Sequence, residues 1–163
     1  MQYNFLQLPP SITSIIPFTG DYLVYISIAI FVGLIIFSII KKTFNIAVLS
    51  LIALPLTFLT TKILQIFIEM ERPFLNNSMP ALISADPNVN SFPSIHTLAA
   101  LVIGLIIFSE FKCLGILLVF VAGIIGYSRI LANVHNPVDI LGSVVIAIVV
   151  IIISKIILAK IWK

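Results

Sequence analysis

Charged side chains are scarce in this sequence. Asp, Glu, Lys and Arg together make up 9% of its 163 residues, whereas hydrophobic residues make up 61%. A soluble domain carries about 25% charged residues, so this composition excludes an ordinary soluble globular protein. It predicts an all-α integral membrane protein, which we expect to be a single domain over residues 1–163.

Other absences narrow the function further. The single cysteine, Cys113, allows no intramolecular disulfide. The first twenty residues lack a start rich in Lys or Arg, which predicts no cleavable signal peptide. The net charge is only +3 and the basic residues form no cluster, so we do not expect nucleic acid as a partner.

Long apolar segments dominate what is present, and each has about the length that a transmembrane helix needs. The third segment reaches that length only when Phe92–Ile95 is counted as its start. Residues 1–20 contain three prolines and predict a short interfacial segment. Glu69–Pro93 is the one long loop, and a loop of that length is usually functional. The sequence therefore predicts a bundle of five transmembrane helices: Tyr22–Ile40, Phe44–Ile68, Thr97–Ser109, Leu114–Leu131 and Val138–Leu158.

The loops differ in charge, which predicts an orientation. If the five segments alternate across the membrane, one side contains a single acid, Glu110, and six lysines: Lys41, Lys42, Lys112, Lys155, Lys160 and Lys163. We expect the protein to lie in the plasma membrane, and the positive-inside rule places the lysine-rich side and the C-terminus in the cytoplasm. The N-terminus and the long loop are then expected outside.

The rarest ionisable residues share one predicted side of the membrane. The chain has two arginines, Arg72 and Arg129, and two histidines, His96 and His135. All four lie at the outward ends of predicted spans, in the stretches ERPF, FPSIH and YSRILANVHNPVD. Ionisable residues at a membrane are costly and usually functional. We therefore expect them to form one site.

The last of these stretches predicts a histidine–carboxylate pair. His135 and Asp139 are four residues apart, so they can share a helical face. Asn136 is a favoured N-cap and Pro137 a favoured first helical residue, which predicts that the fifth span begins there. A carboxylate bonded to one imidazole nitrogen leaves the other nitrogen as a nucleophile. Alternatively, Asp139 is an ordinary first-turn acid that the helix dipole stabilises.

The other two stretches predict groups that bind an anion. Ser94 is a candidate N-cap of the third span, and free N–H groups at a helix N-terminus bind anions. His96 adds a proton donor, and Arg72 can bind phosphate oxygens with two parallel hydrogen bonds. The alternatives are a plain cap with an interfacial histidine, and an Arg72–Glu69 pair. Together with Arg129, these residues predict a phosphate site beside two histidines.

These motifs resemble the three-part signature of the type 2 phosphatidic acid phosphatase superfamily. The resemblance covers about Thr61–Ser143. Within the superfamily it is most similar to the bacitracin-resistance type of undecaprenyl diphosphate phosphatases, and archaeal dolichyl diphosphate phosphatases are similar candidates. The matching motifs are Arg72-Pro73, Pro93-Ser94-Ile95-His96 and Ser128-Arg129 followed by His135 and Asp139.

The resemblance implies a role for each matching residue. His135 would attack phosphorus and form a phosphohistidine, with Asp139 orienting its ring. His96 would protonate the leaving group and then activate water. No metal or other cofactor is implied, and the sequence contains no acidic or cysteine cluster that would suggest one. The phosphoryl oxygens would be held by Arg72, Ser94 and Arg129.

Two positions depart from the family pattern. The first motif often begins with Lys seven residues before the Arg, where this chain has Gln65; the nearest lysine is Lys62. Lys62 is either a further phosphate ligand or a snorkelling amine that pairs with Glu69. Ile95 replaces the Gly of most members, so it contributes its backbone N–H or faces lipid or a prenyl tail.

The resemblance thus predicts a membrane hydrolase for a lipid phosphate. The expected reaction converts a polyprenyl diphosphate, undecaprenyl or dolichyl, to the monophosphate and phosphate at the outer membrane face. Alternative substrates are phosphatidylglycerophosphate, phosphatidate or a lipid A phosphate. A non-catalytic lipid-phosphate binder or transporter is disfavoured, because binding alone needs no nucleophile. Membrane lipids are the other expected partners, and the sequence leaves the oligomeric state open.

Overall fold

A computed structural model describes residues 9–77 and 79–161, and these residues form helices, turns and one long loop. Residues 1–8 of the predicted interfacial segment and Lys163 lie outside the described residues. The elements in chain order are α1 (Pro10–Pro17), a π-helical turn (Phe18–Tyr22), α2 (Leu23–Ile40), α3 (Asn45–Phe67), α4 (Pro73–Asn76), α5 (Ile95–Phe108), α6 (Lys112–Leu131) and α7 (Pro137–Ile161).

The N-terminal region differs from the prediction. From Pro10 to Ile40 the chain is one continuous helical stretch, so residues 10–20 are not separate from the first predicted span, and their position at the membrane interface stays a prediction. Pro10 lies at the start of α1, where a proline is tolerated because no backbone N–H is needed there. Ile16 is buried in an apolar cluster that also contains Ile83 and Val134. This packing holds α1 against the rest of the helix bundle.

The described helices make this a multi-pass membrane protein. Four helical stretches are long and apolar enough to cross a membrane, namely Pro10–Ile40, α3, α6 and α7. Their ends lie within three residues of the predicted span ends, apart from the extension at Pro10. The fifth helix, α5, has only 14 residues, which is about 21 Å against a hydrocarbon core of about 30 Å. Length therefore supports four of the five predicted spans.

The short helix α5 lies in the centre of the bundle. It contacts α2, α3, α6 and α7, and nine of its 14 residues are buried. Ala100, Val102, Ile106 and Ile107 expose none of their surface. A helix that is apolar all round is a core helix, so α5 is the element on which the longer helices pack.

Glycines allow α6 to approach its neighbours closely. A Cβ on Gly126 would lie 2.8 Å from Ile140 on α7 and 3.2 Å from Thr97 on α5, so this glycine brings three helices together below the end that holds the histidines. At the other end, a Cβ on Gly115 would overlap the backbone N and Cα of Phe108. Backbone atoms cannot move aside without shifting α5.

Gly115→Ala should therefore destabilise the protein, by about 1–3 kcal/mol for an overpacked contact. The free energy of unfolding in detergent measures this effect. Gly123→Ala is the matched control, because a Cβ there meets nothing within 4 Å; it should be neutral or stabilising by at most about 1 kcal/mol. Equal stability of the two variants would contradict the proposed close approach.

Candidate active site

The turn between α6 and α7 places a histidine against a buried carboxylate. His135 Nδ1 lies 3.2 Å from Asp139 Oδ2, and the Asn136 backbone N–H donates to the same oxygen at 2.8 Å. Asp139 is completely buried and His135 is 4% exposed. The helix begins at Pro137, as the sequence predicts. This contact leaves Nε2 as the ring nitrogen that a substrate can reach.

Burial also affects the charge of this histidine. It lowers the pKa of His135 from its usual 6.5, and the hydrogen bond and charge of Asp139 oppose that shift. The nearby positive charges of Arg129 and Arg72 lower the pKa further. The imidazole is therefore neutral near pH 7, which is the form that can act as a nucleophile.

The start of α5 is tied to the start of α7. Ser94 occupies the N-cap position, as predicted, but its hydroxyl does not cap a backbone N–H. Instead, it lies 3.0 Å from the Thr97 hydroxyl. Ser143 on α7 lies within hydrogen-bond distance of the carbonyls of Asp139, at 2.7 Å, and of Ser94, at 3.2 Å. The Pro-Ser-x-His and His-x3-Asp motifs therefore meet directly.

Arg72 joins the long loop to the histidine turn. Its Nε donates to the carbonyls of Asp86, at 2.9 Å, and Val89, at 3.2 Å. Its Nη1 donates to the carbonyl of Val134, the residue before His135, at 3.2 Å. The alternative pairing with Glu69 is not what the structure shows. Arg72 lies at the site, yet backbone carbonyls already occupy two of its three nitrogens.

Arg129, in the last turn of α6, has a partner that the sequence did not reveal. Its Nη1 donates to Asp21 Oδ1 at 2.7 Å and to the Gly20 carbonyl at 3.2 Å. Asp21 is the first acidic residue in the sequence and precedes a long apolar run, which is a signal for function. Its partner is 108 positions away, so no spacing rule could have identified it.

His96 lies in the first turn of α5 and is half-buried. Arg72, Asp21, Arg129 and His135 all lie within electrostatic range of its ring. The structure therefore brings both predicted histidines and both arginines to one end of the bundle, together with Ser94 and Asp139.

Lys62 and Ile95 lie beside this cluster. Both line a groove of about 250 Å³ between α3 and α5, with Phe58 and Leu98 among its other walls. The Lys62 amine lies 5.8 Å from the centre of the Phe58 ring and forms no salt bridge with Glu69. Ile95 is 49% exposed and lines the groove; the predicted contact with lipid or a prenyl tail stays a prediction.

The long loop is folded over this end of the bundle. Its residue Leu82 donates its backbone N–H to the Ala132 carbonyl at 3.0 Å. Asn77 and Asn133 exchange side-chain hydrogen bonds of 2.8 and 2.9 Å, and Asn133 also donates to the Met79 carbonyl at 2.8 Å. Asn133 adopts a left-handed backbone with φ of 61°, which Asn tolerates better than most residues. The sequence analysis missed this residue.

The arrangement defines a helical membrane protein with two histidines and two arginines at one end of its bundle. In the described ranges, no group of three or more His, Cys, Asp or Glu side chains could hold a metal ion. The family model described as the PAP2 superfamily matches residues 22–163. The chain belongs to this superfamily, and the predicted membership in a family of phosphatases is confirmed.

Two relatives from Bacillus subtilis are similar to this chain. Undecaprenyl-diphosphatase BcrC of strain 168 is 39% identical over 79 residues, which is 48% of this chain and 40% of BcrC. The chain thus matches less than half the length of that relative. The crystal structure of a transmembrane PAP2 type phosphatidylglycerolphosphate phosphatase matches with a TM-score of 0.71 and 22% identity. It covers 96% of this chain and 81% of that chain, and it shows a shared fold.

Asn133 allows the backbone conformation of the turn to be tested separately from its hydrogen bonds. Asn133→Gly and Asn133→Ala both lose the side-chain bonds, but only Gly adopts a positive φ without steric strain. Asn133→Ala should therefore be less stable than Asn133→Gly by about 1 kcal/mol, measured as free energies of unfolding in detergent. Equal stability of the two variants would show that the left-handed conformation is unimportant.

Proposed function

We propose that this chain is a membrane-embedded lipid phosphatase that hydrolyses a polyprenyl diphosphate, undecaprenyl or dolichyl, to the monophosphate and phosphate. The observation that carries the proposal is the buried His135–Asp139 pair beside His96 and two arginines. A binding protein would not need such a pair, because the carboxylate serves to orient a nucleophile. The identity with undecaprenyl-diphosphatase BcrC supports the choice of substrate.

In the first step, the Nε2 lone pair of His135 attacks the terminal phosphorus. A nitrogen–phosphorus bond forms, and the bond from phosphorus to the bridging oxygen breaks. The electron pair stays on that oxygen, which leaves as the polyprenyl monophosphate and takes a proton from His96, whose protonated form the negative charge of the bound diphosphate stabilises. Asp139 stabilises the positive charge that develops on the ring of His135.

In the second step, water hydrolyses the phosphohistidine. His96, now neutral, takes a proton from the water as its oxygen attacks phosphorus. The nitrogen–phosphorus bond breaks, its electron pair returns to the ring of His135, and phosphate is released. Both histidines are then ready for the next cycle, and the protein's own groups supply every proton transfer.

The charge that develops on the phosphoryl oxygens needs donors already in place, usually the largest catalytic term. Arg129 supplies N–H groups from the end of α6, and the first turn of α5 supplies backbone N–H groups behind Ser94. Arg72 contributes its charge and one nitrogen, because its other two nitrogens bind backbone carbonyls. In this proposal Arg72 also holds the loop against the site.

The groove between α3 and α5 fits the remainder of the substrate. Its walls are apolar at Ile95, Leu98 and Phe58, which suits an isoprenoid chain. Lys62 lies on the wall of this groove, and in this proposal its amine binds the second phosphate of the diphosphate. This would give the lysine a role that differs from the one in the usual family motif.

The orientation predicted from the lysines completes the proposal. We propose that α5 crosses the bundle as the third of five spans, with the site and the long loop outside and the C-terminus in the cytoplasm. An outward site suits a lipid carrier that is emptied outside the membrane.

The activity test offers the purified protein three lipids in detergent with EDTA: undecaprenyl diphosphate, phosphatidylglycerophosphate and phosphatidate. Phosphate release should be fastest from the diphosphate. His135→Ala should lower kcat/KM by at least about 1,000-fold, because the nucleophile is removed. Asn45→Ala, at the far end of α3, should retain activity. If no phosphate is released from any lipid, the proposed phosphatase activity is refuted. If His135→Ala keeps full activity, the proposed role of His135 as nucleophile is refuted. Faster turnover of phosphatidylglycerophosphate would change only the substrate.

The single cysteine provides a direct test of orientation. Cys113 is exposed near the start of α6, on the side proposed to be cytoplasmic. A membrane-impermeant maleimide should label it only after the cells are permeabilised. In a Cys113→Ser background, Ser84→Cys on the exposed part of the long loop should be labelled in intact cells. The opposite pattern would invert the proposed orientation.

A further inference from the structure

The helix that begins at Pro10 is interrupted at one point, and that point contacts the third motif. The interruption is the π-helical turn Phe18–Tyr22; turns of this kind are rare and frequently occur at functional sites. Thr19 accepts a hydrogen bond from the Ser128 hydroxyl at 2.7 Å. The Gly20 carbonyl and the Asp21 carboxylate both accept hydrogen bonds from Arg129. Three successive residues of the turn therefore hold two successive residues of α6.

Gly20 lies at the centre of this contact. It is buried, and a Cβ in its place would lie 3.4 Å from Ile83, 3.8 Å from Ser128 and 3.9 Å from Arg129. The turn is thus in contact with both the long loop and α6. Any larger residue would fill the remaining space between them.

The way in which Arg129 is held determines which part of it remains free. A guanidinium group presents Nε and Nη2 along one edge, and that edge matches two oxygens of a phosphoryl group. Asp21 and Gly20 bind the opposite nitrogen, Nη1. Arg129 Nε is buried and has no hydrogen-bond partner among residues 9–77 and 79–161. A buried donor without a partner is costly, and a bound phosphoryl oxygen would satisfy it.

We propose that Asp21 is a positioning residue, which fixes Nη1 of Arg129 so that its Nε–Nη2 edge faces the phosphoryl group of the substrate. This inference rests on the proposed function and assigns a role to a residue outside the three motifs. The family model begins at residue 22, so Asp21 also lies outside the matched region. The Arg129 side chain is 4% exposed and that of Asp21 is 28% exposed, so the acid lies at the rim and the arginine is inside.

A carboxylate is suited to this task for two reasons. It neutralises a buried guanidinium, which would be strongly unfavourable alone. It also removes rotational freedom from Arg129 before the substrate arrives, and fixed donors stabilise a transition state better than mobile ones. A mere tether between the first helix and α6 would need neither charge nor direction, so the two roles can be separated by experiment.

The experiment is a double-mutant cycle with kcat/KM as the readout. Asp21→Ala and Asp21→Asn are made in the natural sequence and again with Arg129→Lys. Lysine has a single nitrogen and no second edge to orient. Glu69→Gln is the matched control, because it removes one exposed negative charge near the site. The Asn variant preserves the shape of the side chain and serves if the Ala variant does not fold.

Asp21→Ala should lower kcat/KM by about 10- to 100-fold in the natural sequence, and by less than about threefold beside Arg129→Lys. Asp21→Asn should lie between Asp21→Ala and the natural protein, and Glu69→Gln should remain within about twofold of the natural protein. Equal losses in both backgrounds, or no loss in the natural sequence, would overturn the positioning role.

A second measurement separates this inference from the proposed function. Inorganic phosphate should raise the melting temperature of the natural protein, since a ligand stabilises the state that binds it, and should raise that of Asp21→Ala less. If no lipid is turned over but this difference is present, the proposed function fails and the positioning role stands. If phosphate stabilises both proteins equally, or neither, the positioning role fails whatever the activity.

Discussion

The structure depends on one constraint: a charged side chain that is buried in this apolar bundle needs at least one partner from within the chain. The Asp139 carboxylate shows the constraint most clearly, because it is completely buried and an unpaired buried carboxylate costs several kcal/mol. The Asn136 N–H and the His135 ring supply partners for one of its oxygens. These bonds fix the start of α7, the turn before it and the orientation of the histidine at once. The contacts that stabilise this turn are therefore the same contacts that the proposed chemistry uses.

The arginines satisfy this constraint in two different ways. Arg72 takes backbone carbonyls from the long loop and from Val134, so its charge orders a segment that has little regular structure of its own. Arg129 takes a carboxylate from the first helix and leaves one edge unoccupied. One arginine thus organises the fold around the site, and the other keeps a buried nitrogen, Nε, without a partner among the described residues. The family motif does not distinguish these two uses.

The sequence was sufficient to predict features that depend on neighbouring residues, and insufficient to predict contacts between residues far apart in the chain. The helix ends and the His135–Asp139 contact follow from residue spacing and helical periodicity, which act over a few residues. The predicted alternative of an Arg72–Glu69 pair was wrong because Arg72 binds backbone carbonyls that lie far from it in the sequence, and residue spacing does not predict such contacts. The Asp21–Arg129 contact and the packing of Asn133 depend on tertiary structure, so no local pattern encodes them. The central position of α5 follows from its uniform apolar surface. Its short length was not predicted, because Phe92–Ile95 was counted as the start of the span.

That short length has a consequence for where the substrate meets the protein. If α5 crosses the membrane as proposed, with Phe108 at one edge of the hydrocarbon core, Ile95 lies about 10 Å inside the other edge, given a rise of about 1.5 Å per residue and a core of about 30 Å. Longer helices surround α5. The space above the start of α5 is therefore lined by protein and not by lipid. Under the proposed function, a lipid bound there would lower its head group toward the membrane interior. Depth of immersion, in addition to chemical recognition, would then favour lipids with small head groups.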